Sequence, residues 1–177
     1  MIERNTFIPF GNTADHSIDF LLGVKEDART TTLQRIENLP TEELYWQYAE
    51  GWNTIGALLS HIISVDECFP IFFIENRELT NEEKERLSPG LEMGKYIPDL
   101  IANDPIDVYL ERLEIAKQKS DKAIRELDQH SFFEKLDAYN EKTGANRAWI
   151  MYHAVEDEVH HRGQISILRK LYKSIKG

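Results

Sequence analysis

Apolar residues recur along this chain at three- and four-residue spacings in four long segments, and no segment sustains the period-two alternation of a half-buried strand. The first segment, 15–39, carries Ile18, Leu21, Leu22, Val24, Ala28, Leu33 and Ile36, and Pro40 closes it. Thr41 then opens a short helical stretch through Leu44 and Tyr45. The second helix is predicted to start after Asn53, read as its N-cap, and to run to about residue 76; it is apolar enough to lie in the middle of a core. Residues 77–104 form the longest irregular connection. Thr80-Asn-Glu-Glu83 carries the capping-box pattern of a short helix, and SPGLEMGKYIPDL after it supplies two glycines and two prolines that break regular structure. Asp104-Pro105, a cap followed by proline at the first helical position, starts a third helix to about residue 127, with Ile106, Tyr109, Leu110, Leu113, Ile115, Ala116 and Ala123 as its apolar positions. A second connection, 129–146, contains SFFEKLDAYNEKTG and predicts a small hairpin or an extended edge. The fourth helix covers about 146–173.

Four long amphipathic helices in 177 residues predict an all-α four-helix bundle. No repeat, low-complexity linker or shift in composition marks a boundary, so one domain over 1–177 is expected. The connection 77–104 is long enough to cross the bundle, which leaves the topology open.

Composition narrows the setting. With 41% hydrophobic and 29% charged residues the chain has the make-up of a soluble globular protein. Its most apolar short run, IFFI at 71–74, is far too short to span a bilayer, and no membrane association is expected. The first residues lack the basic start and apolar run of a signal peptide, and the single cysteine, Cys68, excludes an internal disulfide. These features predict a cytoplasmic protein. A formal net charge of −10 with no basic stripe argues against nucleic acid as a partner. Arg169, Lys170, Lys173 and Lys176 instead complement the negative end of a terminal helix.

The chemistry gathers in HAVEDEVHHRGQ, residues 153–164, where three of the six histidines fall among carboxylates. With His153 at 0° on a helical wheel, Asp157 lies at about 40°, His161 at about 80°, His160 at about −20° and Gln164 at about 20°. Ile150, Ile167, Leu168 and Leu171 share this arc, so the polar cluster interrupts an apolar stripe and is expected to point into the bundle. On the second helix His61 likewise shares its face with Leu58, Val65, Cys68, Phe69 and Phe72. A lone histidine there reads most simply as a core residue bonded to a carbonyl; beside an inward His/Asp/His cluster it reads as a ligand. Buried ionisable groups need partners, and one divalent cation satisfies several together. Asp157 and His161 are spaced to chelate one ion, as are His153 and Asp157. His61, Asp157 and His161 would leave a coordination position open, the pattern of a catalytic site that lowers the pKa of bound water or thiol.

HHRGQI (160–165) on a late helix, with GALLSHI (56–62) on an earlier one, resembles the DinB-like family of four-helix-bundle proteins, which includes bacillithiol- and mycothiol-dependent transferases. The likeness covers most of the chain. It implies a divalent metal (zinc, nickel, iron or manganese) bound by one histidine of the second helix and two histidines four apart on the last. The outer two map onto His61 and His161. The middle one maps onto position 157, where this sequence departs and holds Asp157; His153 or His160 could stand in there. The resemblance also implies a small-molecule substrate, a low-molecular-weight thiol among the candidates, and favours a homodimer. Met151, Val155 and Val159 on a second side of the last helix point the same way.

The remaining candidates read more plainly. Cys68 is a small core residue or a thiol near the metal. Gly163 would admit a close helix, Gln164 would orient a ligand histidine, and Arg162 would pair with a surface carboxylate. Trp52, Tyr45 and Trp149 either rim a pocket or pack at helix entries, and His16 and His130 lie on the surface. The reading is a metal-dependent thiol transferase or hydrolase acting on a small electrophile, with His160 or His153 as auxiliary ligand or proton acceptor. A non-catalytic metal-binding or stress-response protein, and a metal-free bundle with a buried histidine network, are the alternatives.

Overall fold

The structure is a computed structural model that describes residues 2–6, 8, 16–96, 104–136 and 145–176, with only the backbone of Phe73 and Lys95. Its long helices are α1 (His16–Ile36), α3 (Ile55–Pro70), α5 (Ile106–Arg125) and α7 (Arg147–Lys176). Shorter ones connect them: α2 (Thr41–Leu44), α4 (Asn81–Glu92) and α6 (Gln129–Phe133). The expected all-α bundle is what forms. The last turn of α3 continues into a π turn, Ile71–Glu75.

Helix starts follow local chemistry, with two shifts from expectation. Thr54, not Asn53, caps α3: its hydroxyl accepts from the Ala57 amide at 3.1 Å, within reach of the third helical residue. Pro105 occupies the cap position of α5 instead of its first turn. The capping box of α4 forms as read, with Thr80 and Glu83 bonded to each other's backbone. Helix α4 then runs through Pro89 and Gly90, which the sequence suggested would break it. In the connection 129–146, read as a small hairpin or an extended edge, the first residues form α6, capped by Asp128, and a lone antiparallel bridge joins Lys135 to Asn146; residues 137–144 of that expectation lie outside the described residues.

Cross-helix contacts fix the topology. Arg29 meets Glu158 and Thr31 meets Arg162, so α1 and α7 run parallel. His61 meets Asp157 and Phe69 lies by Ile150, which makes α3 antiparallel to α7; Gly56 meets Tyr109 and Asp66 meets Ser120, which makes α3 parallel to α5. The order is up-down-down-up. Two parallel neighbours in sequence require the chain to travel the length of the bundle between them. Helix α4 does so by lying antiparallel on α3, with Arg86 paired to Glu67 and the Gly90 carbonyl at His61.

The close approach of α4 depends on Gly90. A Cβ there would collide with the Ser64 side chain and the Ser60 carbonyl. Gly90→Ala is therefore expected to push α4 outward and cost about 1–3 kcal/mol, read by urea unfolding.

Two apolar clusters fill the ends of the bundle. Ile36, Leu44, Leu58, Leu59, Leu113 and Leu168 pack one, and Ile18, Leu22, Phe69, Ile124, Phe132 and Met151 pack the other. Met151 and Val155 are buried, so the second apolar side of α7 is satisfied within the chain, and only Val159 of that trio is exposed.

Candidate metal centre

Halfway along the seam between α3 and α7 one ligand atom each of His61, Asp157 and His161 comes together, all within 4.8 Å of one another. Helix α7 places Asp157 and His161 one turn apart; the antiparallel α3 brings His61 to the same level. His61 Nε2 lies 2.8 Å from one Asp157 oxygen and His161 Nε2 3.3 Å from the other. The two rings stand edge to face with centroids 4.9 Å apart.

Both rings are oriented from behind. His61 Nδ1–H donates to the Gly90 carbonyl at 2.9 Å, and His161 Nδ1–H donates to Gln164 Oε1 at 3.0 Å. The Gln164 amide is turned that way because its NH2 faces His160 Nε2 at 2.9 Å. With each Nδ1 committed as donor, each Nε2 presents a lone pair toward the carboxylate. Two acceptors cannot hold each other, so a cation belongs between them, whether a proton on each ring or one ion shared by all three residues. The donor set of two imidazoles and one carboxylate suits a divalent transition ion. Burial alone would raise the pKa of Asp157, but hydrogen bonds from His161 and His61 outweigh it and hold the group well below the usual carboxylate range. Burial would likewise lower that of His161, and Asp157 and Gln164 reverse the direction.

The sequence had placed the whole cluster inward, and the structure grades it. Side-chain exposure falls from 45% at His153 to 26% at Asp157 and 7% at His161, in the order of their positions round the wheel. His160 is exposed, as is Ile167, which the same arc had counted as core. The buried face of α7 is thus centred beyond His161, toward Glu158 and Ile165. The centre sits at the edge of that face, where it stays open to a cavity. His153 stacks on the exposed Trp149 and faces Glu156 through Nδ1, and His160 meets the centre through the Gln164 amide and an edge-on ring contact with His161, 5.6 Å between centroids. Gly163 faces open space instead of a helix, and Arg162 bonds Thr31 on α1, where its charge also favours the carboxylate of Asp27.

A cavity of about 280 Å³ opens beside the centre, lined by His61, Asp157 and His153 and otherwise by apolar side chains of α3, α4 and α7. Cys68 is part of its wall; burial pushes the thiol up to about 12, so it is neutral. A second cavity of about 360 Å³ lies further along the seam, between Trp52 and Gln164. Tyr45 rims neither; it bonds Tyr109 and packs on Gly56.

One polar layer escaped the sequence reading. Behind the centre Arg29 of α1 donates to Glu158 of α7, to Asp66 of α3 and to the Leu113 carbonyl of α5, and Lys25 pairs with Asp66 and Asp121. The available signal was spacing: Lys25 and Arg29 fall on the stripe of Ile18, Leu22 and Ile36, where solvated cations do not belong.

No helix among the described residues is long and apolar enough to cross a membrane. A family model for mycothiol S-transferase matches residues 21–174, a stretch that includes all three residues of the centre. No curated protein matches the chain.

Proposed function

Because this chain belongs to the mycothiol S-transferase family, within the DinB-like group, we propose that it is a cytoplasmic, metal-dependent transferase that joins a low-molecular-weight thiol to a small electrophile. The observation that carries the reading is the convergence of His61, Asp157 and His161 at the wall of a cavity large enough for a small molecule.

A divalent ion held by these three residues, carrying one carboxylate and two neutral imidazoles, would keep net positive charge and lower the pKa of a thiol beside it. Gly90 and Gln164 keep the two Nε2 atoms aimed at that position, and such outer partners fix the tautomer and orientation of a ligating ring. His153, at the cavity rim with Nδ1 against Glu156, takes the thiol proton. The sulfur electron pair then forms the bond to the electrophilic carbon, and the leaving group departs with its own pair. The apolar wall excludes water that would compete for the carbon.

The test is thiol consumption by the metal-loaded chain in the presence of an alkyl halide. We expect adduct formation that stops in chelator, resumes on adding zinc, nickel or manganese, and falls 10²–10⁴-fold in His153→Ala, the range of a general base. Metal bound without turnover over a panel of thiols would leave a binding or stress-response protein in place of the enzyme.

A further inference from the structure

The transferase reading leaves the electrophile unspecified, and the cavity beside the centre specifies its class. We propose that Val65, Cys68, Phe69, Phe72, Leu91 and Ile150 form the electrophile site, and that it selects an uncharged, apolar molecule carrying an aromatic or branched alkyl group. This inference rests on the transferase reading for the word electrophile, but its geometry is independent of any metal.

Three elements build the wall. Val65, Cys68, Phe69 and Phe72 repeat on the face of α3 and its π turn that also carries His61, so the ligand and the apolar surface are contiguous. Ile150 and Ala154 come from α7, about two turns and one turn before Asp157 respectively. Leu91 comes from α4, the crossover helix that also supplies the Gly90 carbonyl to His61. Cys68 packs with Ile71 and Leu87 and is 3% exposed, and Phe69 is 1% exposed, so the wall is fixed by the core behind it.

The lining also shows what the site rejects. Among the described residues around the cavity there is no lysine or arginine; its ionisable members are His61, His153 and Asp157, all on the side of the centre, with Cys68 in the wall. Away from the centre, an anionic group lying against Val65, Phe69, Phe72, Leu91 and Ile150 would give up its hydration without receiving a counter-charge. A neutral ring loses nothing polar, and Phe69 and Phe72, three residues apart, offer it aromatic contact. With about 280 Å³ the site lies just under the ~300–1,000 Å³ typical of small-molecule pockets, which favours a small ligand. The second cavity differs in its residues: Trp52, Asn53, Leu58, Gln164, Ile167 and Leu168 line it, and none of His61, Asp157 or His161 does.

In the transfer, the carbon bearing the leaving group points at the centre and the apolar remainder lies against Phe69 and Phe72. The thiol sulfur forms the new S–C bond as the bond to the leaving group breaks, the leaving group keeps the electron pair, and the thiol proton goes to His153.

The experiment measures binding and turnover separately on the full chain. In chelator, the unreactive neutral ketone acetophenone and the isosteric anion benzoate are titrated by calorimetry or ligand-observed NMR. Acetophenone is expected to bind at least tenfold more tightly than benzoate, and to weaken at least tenfold in Phe72→Ala and in Leu91→Ala but not in Trp52→Ala. Two cavity variants guard against one that folds poorly. Equal or tighter binding of benzoate, or loss in Trp52→Ala alone, would overturn the assignment. With metal and thiol restored, benzyl chloride is expected to react at least tenfold faster than 4-(chloromethyl)benzoate. Equal rates would refute the cavity's selectivity while leaving the transferase standing; selective binding with no adduct from either would uphold the cavity and remove the transferase.

Discussion

Alanine at position 61 is expected to strip the protein of its metal. Reconstituted with zinc, nickel or manganese and dialysed, the wild-type chain should carry about one ion, and His61→Ala essentially none by elemental analysis. His61 is the only member of the cluster contributed by α3, so its loss leaves Asp157 and His161, one turn apart on a single helix, to hold an ion open to solvent on the far side. Removing an outer partner of a metal ligand already costs 10–100-fold in affinity, and removing the ligand itself should cost at least the upper end of that range. Asp157→Ala should behave alike, because Asp157 supplies the negative charge and sits between the two rings. Asp157→His, which restores the pattern implied by the family resemblance, should keep the metal. Full metal content in His61→Ala, or none in the wild type after reconstitution, would reduce the cluster to a hydrogen-bonded seam.

How much of this was readable in advance differs from element to element. The long helices were, because stripes such as Ile18–Leu22–Ile36 persist over several turns. The pairing of His61 with His161 was also readable, since each interrupts an apolar face. The caps slipped by one residue because Asn53 and Thr54 both suit the position, and only the geometry at Ala57 decides between them. Pro89-Gly90 read as a break because the sequence does not show what lies beside it. In the folded chain that glycine is a contact surface, fitted against Ser60 and Ser64, and its carbonyl sets the tautomer of His61. The helical wheel sets the inward face of α7 off by part of a turn because it groups Ile167 and Leu171 with the core, whereas Ile167 is 54% exposed. An apolar residue on a helix need not be buried, and the outward turn of Ile167 goes with a centre placed at the edge of the buried face, where it is accessible.

The buried cation at position 29 is the second large lever. Arg29 is 3% exposed and bonds to groups on all three other long helices, so it ties the bundle together at the level of the centre. Arg29→Met fills the same space but leaves Asp66 with Lys25 alone and takes from Glu158 its Arg29 pair. Breaking a buried pair this way typically costs 3–5 kcal/mol, and that loss is expected in urea unfolding at neutral pH. The pH dependence tests the cause. Burial alone would raise the pKa of Asp66; Lys25 and Arg29 outweigh it and hold the folded-state value below the unfolded one. A depressed carboxylate contributes stability that is full above its unfolded pKa, about 3.9, and is lost as pH falls through the folded value. The wild type should therefore lose stability in acid more steeply than Arg29→Met, and the gap between them should narrow below about pH 4. A loss under about 1 kcal/mol, or a gap that stays constant into acid, would show that the layer is held by packing and not by charge. Glu158 adjoins Asp157 on α7, so the same substitution should also loosen the turn that carries the centre. Weakened metal binding in Arg29→Met, with His61 and Asp157 intact, would show that the ionic layer and the centre are built as one unit.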